Sequence, residues 1–376
     1  MHIFKELRKD YISFFIAGIL FVASTGIVPP QATIIGLFLI IISRGWPKNW
    51  LDGTSKTILL IIFLSLFNEA IYLLRYPGTN VDILYLIPYS LFIFLTIQVS
   101  KVLDERIIRW LILFFVLDVL TAIYQKSIGI NSFFAVTATD YTGDMLYNLK
   151  VNGLNINSVS LAYKMLFGLI IYNRYPRQQL VNKYIFYVFV IIGIYLSFCR
   201  TVILSVFVFV GTNLYFSSMK KRYKLLIVLV GISVTAVLIT PYWDLIVLQM
   251  MRGHNDLSSA SSGRDEVFGY FLNFVMQNPL QGYGSFKLNV DFDGILFHAH
   301  NSYLQAFANN GIIIGLLYML IIIRNLNRNN IAYLFPILFA IFFQNIIFWG
   351  LNLYDLLFYK LLLDKPSNIQ YNEKNT

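Results

Sequence analysis

Two histidines and two arginines, far apart along the chain, are the side chains best suited to chemistry. His298 and His300 alternate with Ala299 and run into Asn301, at the end of a polar segment, 241–301, that holds three of the four histidines. Imidazole titrates near neutral pH and suits abstraction of a proton from a hydroxyl. A single histidine at a membrane interface is usually structural, but a pair closing the largest polar segment points to a base. Asn301 beside them can orient a ring or a substrate.

Earlier in the same segment, Ser262 is a credible helix N-cap with Asp265 three residues on. Val267, Phe268, Phe271, Leu272 and Val275 then share one face at helical spacing, and Asn278-Pro279 ends the run. Arg264 falls in the first turn, where a cation is disfavoured by the helix dipole but where free N–H groups welcome phosphate. A guanidinium there completes an anion site, because its fork matches phosphate oxygens; the plain alternative is a solvated surface arginine. Arg200 either makes the same offer or snorkels at the interface. A metal site would recruit Asp291 and Asp293 with the histidines, yet no second cluster at ligand spacing supports one. No metal and no cofactor are expected. Asp291-Phe292-Asp293 also has the Asp-x-Asp form of nucleotide-sugar enzymes, whose substrates are cytoplasmic.

The elements that must position these groups are membrane helices. The chain is 57% hydrophobic and only 13% charged, with mean hydropathy +0.66, where soluble chains run nearer 25% charged. Apolar runs near the length needed to cross the hydrocarbon recur throughout, and none alternates with period two, which excludes a barrel. Spans are expected at 11–28, 31–43, 57–74, 81–99, 107–124, 155–172, 184–199, 201–216, 225–240, 302–323, 331–348 and, weakly, 350–363. The fold class is therefore all-α and polytopic, with 11–12 transmembrane helices and one large exoplasmic loop, 241–301, carrying a short amphipathic helix. With the N-terminus in the cytoplasm, eighteen Lys and Arg fall on inner connectors and seven on outer ones. The positive-inside rule thus turns the long loop outward and makes the net charge of +10 a topology signal, with no nucleic-acid partner. The first span ends at Pro29-Pro30 without a cleavage site, so it is expected to stay. The single cysteine, Cys199, allows no intrachain disulfide.

One stretch needs a break. Residues 184–216 carry one charge, Arg200, near the middle, and a single helix of that length would extend about 50 Å. A tight hairpin at Ser197-Phe198-Cys199-Arg200-Thr201 resolves this and brings Arg200 to the outer surface, although no Gly or Pro marks it. Glu69, Asp118 and Lys164 lie in the lipid zone; an Asp118–Lys164 pair is the preferred expectation and an ion path the other. Gly311 and Gly315 form a G-x-x-x-G suited to close helix packing. The tail after Asp364 is expected to fray. A transporter is the contrasting class, but neither an internal repeat nor a midplane polar site supports it.

Taken in order, these pieces resemble the bacterial O-antigen ligase/polymerase superfamily, whose members share a C-terminal region of the Wzy type. The matching motifs are Gly153-Leu154-Asn155-Ile156-Asn157, Ser197 to Thr201, Ser262-Gly263-Arg264, Asn278 to Gly284, His298-Ala299-His300-Asn301-Ser302-Tyr303-Leu304-Gln305 and Gly311 to Gly315. They cover roughly 150–323; Cys199 departs from the serine more usual in the family. The resemblance divides one integral membrane domain, 1–376, into N-terminal helices (1–150), a catalytic region (151–323) and C-terminal helices with a cytoplasmic tail (324–376). It implies a metal-independent glycosyltransferase of the plasma membrane using an undecaprenyl-diphosphate-linked glycan donor and a glycan acceptor at the outer face. By that likeness Arg200 and Arg264 hold the donor diphosphate and His300 activates the acceptor hydroxyl. His298, Asn301, Asn157 and Tyr303 are the substrate-binding candidates. A polymerase of repeat units is expected first and a ligase second, with a chain-length regulator and a flippase as candidate partners.

Overall fold

The computed structural model describes residues 2–29, 31–76, 89–134, 150–176, 179–240, 264–285, 287–292 and 295–364. Thirteen helices appear among them: α1 (His2–Ala23), α2 (Ala32–Arg44), α3 (Gly53–Arg75), α4 (Tyr89–Val102), α5 (Glu105–Ser127), α6 (Ser158–Arg174), α7 (Lys183–Ser197), α8 (Arg200–Phe216), α9 (Lys221–Ile239), α10 (Arg264–Gln277), α11 (Ser302–Asn325), α12 (Ile331–Phe342) and α13 (Leu353–Leu363). A two-stranded antiparallel hairpin, β1 (Val290–Phe292) and β2 (Ile295–Phe297), is the one sheet among the described residues, with Asp291 opposite Leu296.

The bundle is organised around α6. Every residue from Leu161 to Tyr172 is buried, as befits a helix apolar on all sides. It is walled by α5, α7, α8, α12 and α13. The periphery is apolar too: Phe63, Leu74, Ile191, Tyr195 and Phe207 are all exposed, which suits a lipid surround and not water. Of the described helices, α3, α5 and α11 are long and apolar enough to cross a membrane, and six further segments form shorter apolar helices. This is an all-α membrane protein.

The segment expected as one span at 331–348 differs. Helix α12 stops at Phe342, and 343–352 is irregular. Non-helical backbone at membrane depth must find partners inside the protein. The fully buried carboxylate of Asp355 supplies them, accepting from the N–H groups of Phe348 (2.7 Å), Trp349 (3.0 Å) and Gly350 (2.7 Å).

The buried charges expected to pair do so. Lys164 Nζ lies 3.1 Å from Asp118 Oδ2, with both side chains fully buried. Asn155 completes the group, donating to Asp118 (2.9 Å) and accepting from Lys164 (2.6 Å), while the ammonium sits 4.1 Å from the centre of the Phe21 ring.

Candidate functional site

The motif at 153–157 is a clasp. Leu154 N–H donates to Asp118 (2.7 Å), and Gly153 exchanges two hydrogen bonds with the Gln125 amide (2.7 and 2.8 Å). Gly153 adopts φ +62°, and a Cβ there would strike Asp118, so only glycine fits. Asn157 is the N-cap of α6, its side chain accepting from Ser160 N–H at 2.9 Å. Just upstream, Val151 N–H bonds to Leu196 O, and Ile156 N–H to Thr25 O. The clasp therefore ties the ends of α1, α5 and α7 together, one residue short of the turn that carries Arg200.

That turn is where the chain breaks. Phe198 is left-handed (φ 45°), Cys199 is extended, and α8 begins at Arg200, which is partly buried. The break expected here is present, but the helices diverge: α7 packs on α6 and α5, whereas α8 packs chiefly on α12. Near its far end, Thr212 Oγ1 donates to Ala332 O at the start of α12. Helices α8 and α12 thus run antiparallel, and Arg200 stands at the end where α12 finishes. Beyond α12, the N–H groups of Ile346 and Ile347 bond to Ser302 Oγ, in the first turn of α11. Arg200 and His300 consequently occupy the same end of the bundle.

On the other side, α10 buries Val267, Phe271 and Val275 against Leu288, Val290, Ala299, Leu304 and Ala308. Phe268 and Leu272, expected on the same face, are exposed, free to meet lipid. After α10 the chain folds into a notch in α11. Gly311 is non-helical (φ 80°, ψ 171°); Ile312 N–H bonds to Pro279 O (2.7 Å), and Tyr283 N–H to Ala308 O (2.9 Å). A Cβ on Gly311 would collide with the Leu280 carbonyl. The G-x-x-x-G position therefore admits a loop where close helix packing was expected. Because α10 packs along α11 and its far end docks about 12 Å below His300 along the α11 axis, α10 runs parallel to α11. Arg264, its first residue, begins at the end that His300 occupies.

The histidine segment is braced by amides. Gln305 accepts from Ala299 N–H (2.8 Å) and donates to Leu288 O (2.9 Å) and Asn309 Oδ1 (2.8 Å). His300 is held left-handed (φ 48°), a conformation that costs free energy in a non-glycine residue and concentrates at functional sites. The His298 and His300 rings lie 4.4 Å apart, centre to centre. Asn301, nearly buried, caps α11 by accepting from Leu304 N–H (2.9 Å), and Tyr303 donates to Leu338 O (3.2 Å). Among the described residues no three His, Cys, Asp or Glu side chains group as metal ligands. Ser262, Gly263, His254 and Asp293, the side chain of Arg264, and the tail after Asp364 lie outside the described residues.

Helices with apolar exteriors, a buried ion pair and a polar end built from paired loops define the class: a polytopic helical membrane protein with one differentiated face. Residues 185–320 match the family model described as O-antigen ligase. The matched stretch runs from α7 into α11 and includes every catalytic and substrate-binding candidate except Asn157, in agreement with the superfamily resemblance carried by the motifs. It supports a function of the O-antigen ligase/polymerase type, glycosyltransferase-like, on lipid-linked glycans. No curated protein matches the chain.

Proposed function

We propose that this protein is an O-antigen or related surface-polysaccharide polymerase, joining undecaprenyl-diphosphate-linked repeat units at the outer face of the plasma membrane. The observation that carries the reading is the placement of Arg200, the start of α10 and the left-handed His300 at one end of the bundle. In this reading His300 removes the proton from the acceptor hydroxyl as its oxygen attacks the anomeric carbon of the donor. The bond from that carbon to the diphosphate oxygen breaks, and undecaprenyl diphosphate leaves. Arg200 and Arg264 offset the charge that develops on the leaving group, so no metal is needed. His298 steadies the His300 ring against which it lies, while Asn301, Asn157 and Tyr303 shape the surroundings through the helix ends they hold. The positive-inside distribution supports an outward site.

The ligase, transferring finished glycan to lipid A–core, is the second reading, favoured by the description of the family model. Cells lacking the protein should carry core with a single repeat unit if it polymerises. Polymer piling up on the lipid carrier with none attached to core would instead mark a ligase. Purified protein given lipid-diphosphate glycan in EDTA should release undecaprenyl diphosphate; transport without release would overturn both readings.

A further inference from the structure

We propose that Lys287 and Asn345, both held against the indole of Trp349, form an anion-binding subsite that takes a phosphate or carboxylate oxygen of the lipid-linked glycan. The inference rests on the glycosyltransferase reading above and adds residues that no motif marks. Lys287 lies on the strand-ward chain between α10 and β1, and its ammonium sits 4.4 Å from the centre of the Trp349 ring. No carboxylate pairs with it among the described residues, and burial lowers its basicity. A cation partly removed from water without a counter-ion is unfavourable, and an aromatic face offsets only part of that. Such a group is poised for an anion.

Asn345 supplies the second donor. Its Oδ1 accepts from Trp349 Nε1–H at 3.2 Å, which turns the amide nitrogen away, and that nitrogen is buried with no hydrogen-bond partner among the described residues. A buried donor left unmade calls for an acceptor. Trp349 itself is fixed: Tyr89 meets it edge-on at 5.4 Å, and Asp355 holds its backbone N–H. Asn345 and Trp349 line a narrow chamber of mixed character with Ser302, Gln305, Tyr318 and Phe348, under the histidine segment. Its volume of about 10 Å³ admits no sugar ring; Lys287 stands outside that lining, and what joins it to Asn345 is the Trp349 ring that both meet. Two groups that only donate, an ammonium and an amide N–H, select an anionic oxygen.

The test measures inorganic pyrophosphate and glucuronate binding to the detergent-purified full chain by calorimetry, alongside turnover. Lys287→Met keeps the stem on Trp349 and removes the charge. It is expected to weaken binding of one probe about tenfold, the scale of a lost charge-assisted hydrogen bond, with Lys287→Arg restoring most of it. Loss for pyrophosphate assigns the subsite to the donor diphosphate, and loss for glucuronate to an acidic sugar. Asn345→Leu should weaken the same probe, and it carries the test should Lys287→Met fail to fold. Unchanged binding of both probes in both variants, or no binding by the wild type, overturns the subsite. The polymerase reading survives that result so long as Arg200→Ala and His300→Ala still lose turnover, and falls independently if they do not.

Discussion

The two ends of the bundle are closed in different ways. At the end holding the basic connectors, charges meet charges: Arg44 pairs with Asp104 (3.0 Å), Lys101 with Asp52 (3.0 Å), Arg109 with Asp10, and Arg174 and Lys360 with Asp364 (3.3 and 3.2 Å). At the opposite end neutral amides do much of the fastening, beside the buried carboxylates of Asp118 and Asp355. Asn68 donates to Gln281 O and Asn310 O, Gln125 clasps Gly153, and Gln305 and Asn309 hold Leu288 and Ala299. Among the described residues, then, opposite charges close one end and mostly neutral amides the other. The ion pairs at the bundle's periphery, among the described residues, thus lie away from the candidate site.

If that division is right, variants at the two ends should differ in what they damage. The largest effect is expected from His300→Ala and Arg200→Ala, with turnover falling by about 10²–10⁴-fold, the range for removal of a general base or a preorganised charge. Membrane abundance and thermal midpoint should stay near wild type, and comparable loss of both would merge site and scaffold. Next comes Lys164→Met, which strands Asp118 in the core and should cost about 3–5 kcal/mol; pairing it with Asp118→Asn should recover much of this in a double-mutant cycle. Gly311→Ala sharpens the comparison at the notch. Strain at a positive φ costs on the order of 1–3 kcal/mol, so detergent stability should drop, and turnover with it, as the segment bracing His300 loses its seat. Lys101→Met, at the basic end, should be the mildest. Its pair with Asp52 is partly exposed, worth about 1 kcal/mol or less, and turnover should be unaffected.

Much of the helical plan is legible in the chain itself. Spans expected at 107–124, 201–216 and 302–323 appear as Glu105–Ser127, Arg200–Phe216 and Ser302–Asn325, because continuous apolarity and flanking charge are local signals. The break before Arg200 was also recoverable without a Gly or Pro, from length and charge alone. The Asp118–Lys164 pair follows from the penalty on lone charges in lipid. What escaped depends on contacts distant in sequence. Asp355 looks like an interruption of a weak span, and only the fold reveals three backbone N–H groups converging on it; the one local hint is Asn352 three residues earlier, which caps α13 by accepting from Asp355 N–H. Gly311 reads as a helix-packing glycine until the loop from Pro279 is seen in its notch. Asn157 and Asn301 sit beside chemical motifs, and both carry helix caps, a role their position before an apolar run also announces. Lys287 has no motif at all, and the ring it lies over, Trp349, is sixty-two residues away.

The buried salt link also constrains the order in which the polypeptide can be made. Asp118 emerges from the ribosome 46 residues before Lys164, and Asn155 follows Asp118 by 37. Until the sixth helix arrives, the nascent fifth carries an uncompensated acid into lipid, where such groups are poorly tolerated. The two helices must therefore be delivered to the bilayer as a couple. Chains truncated between them should be recognised as defective by membrane proteases, long before any glycan is encountered.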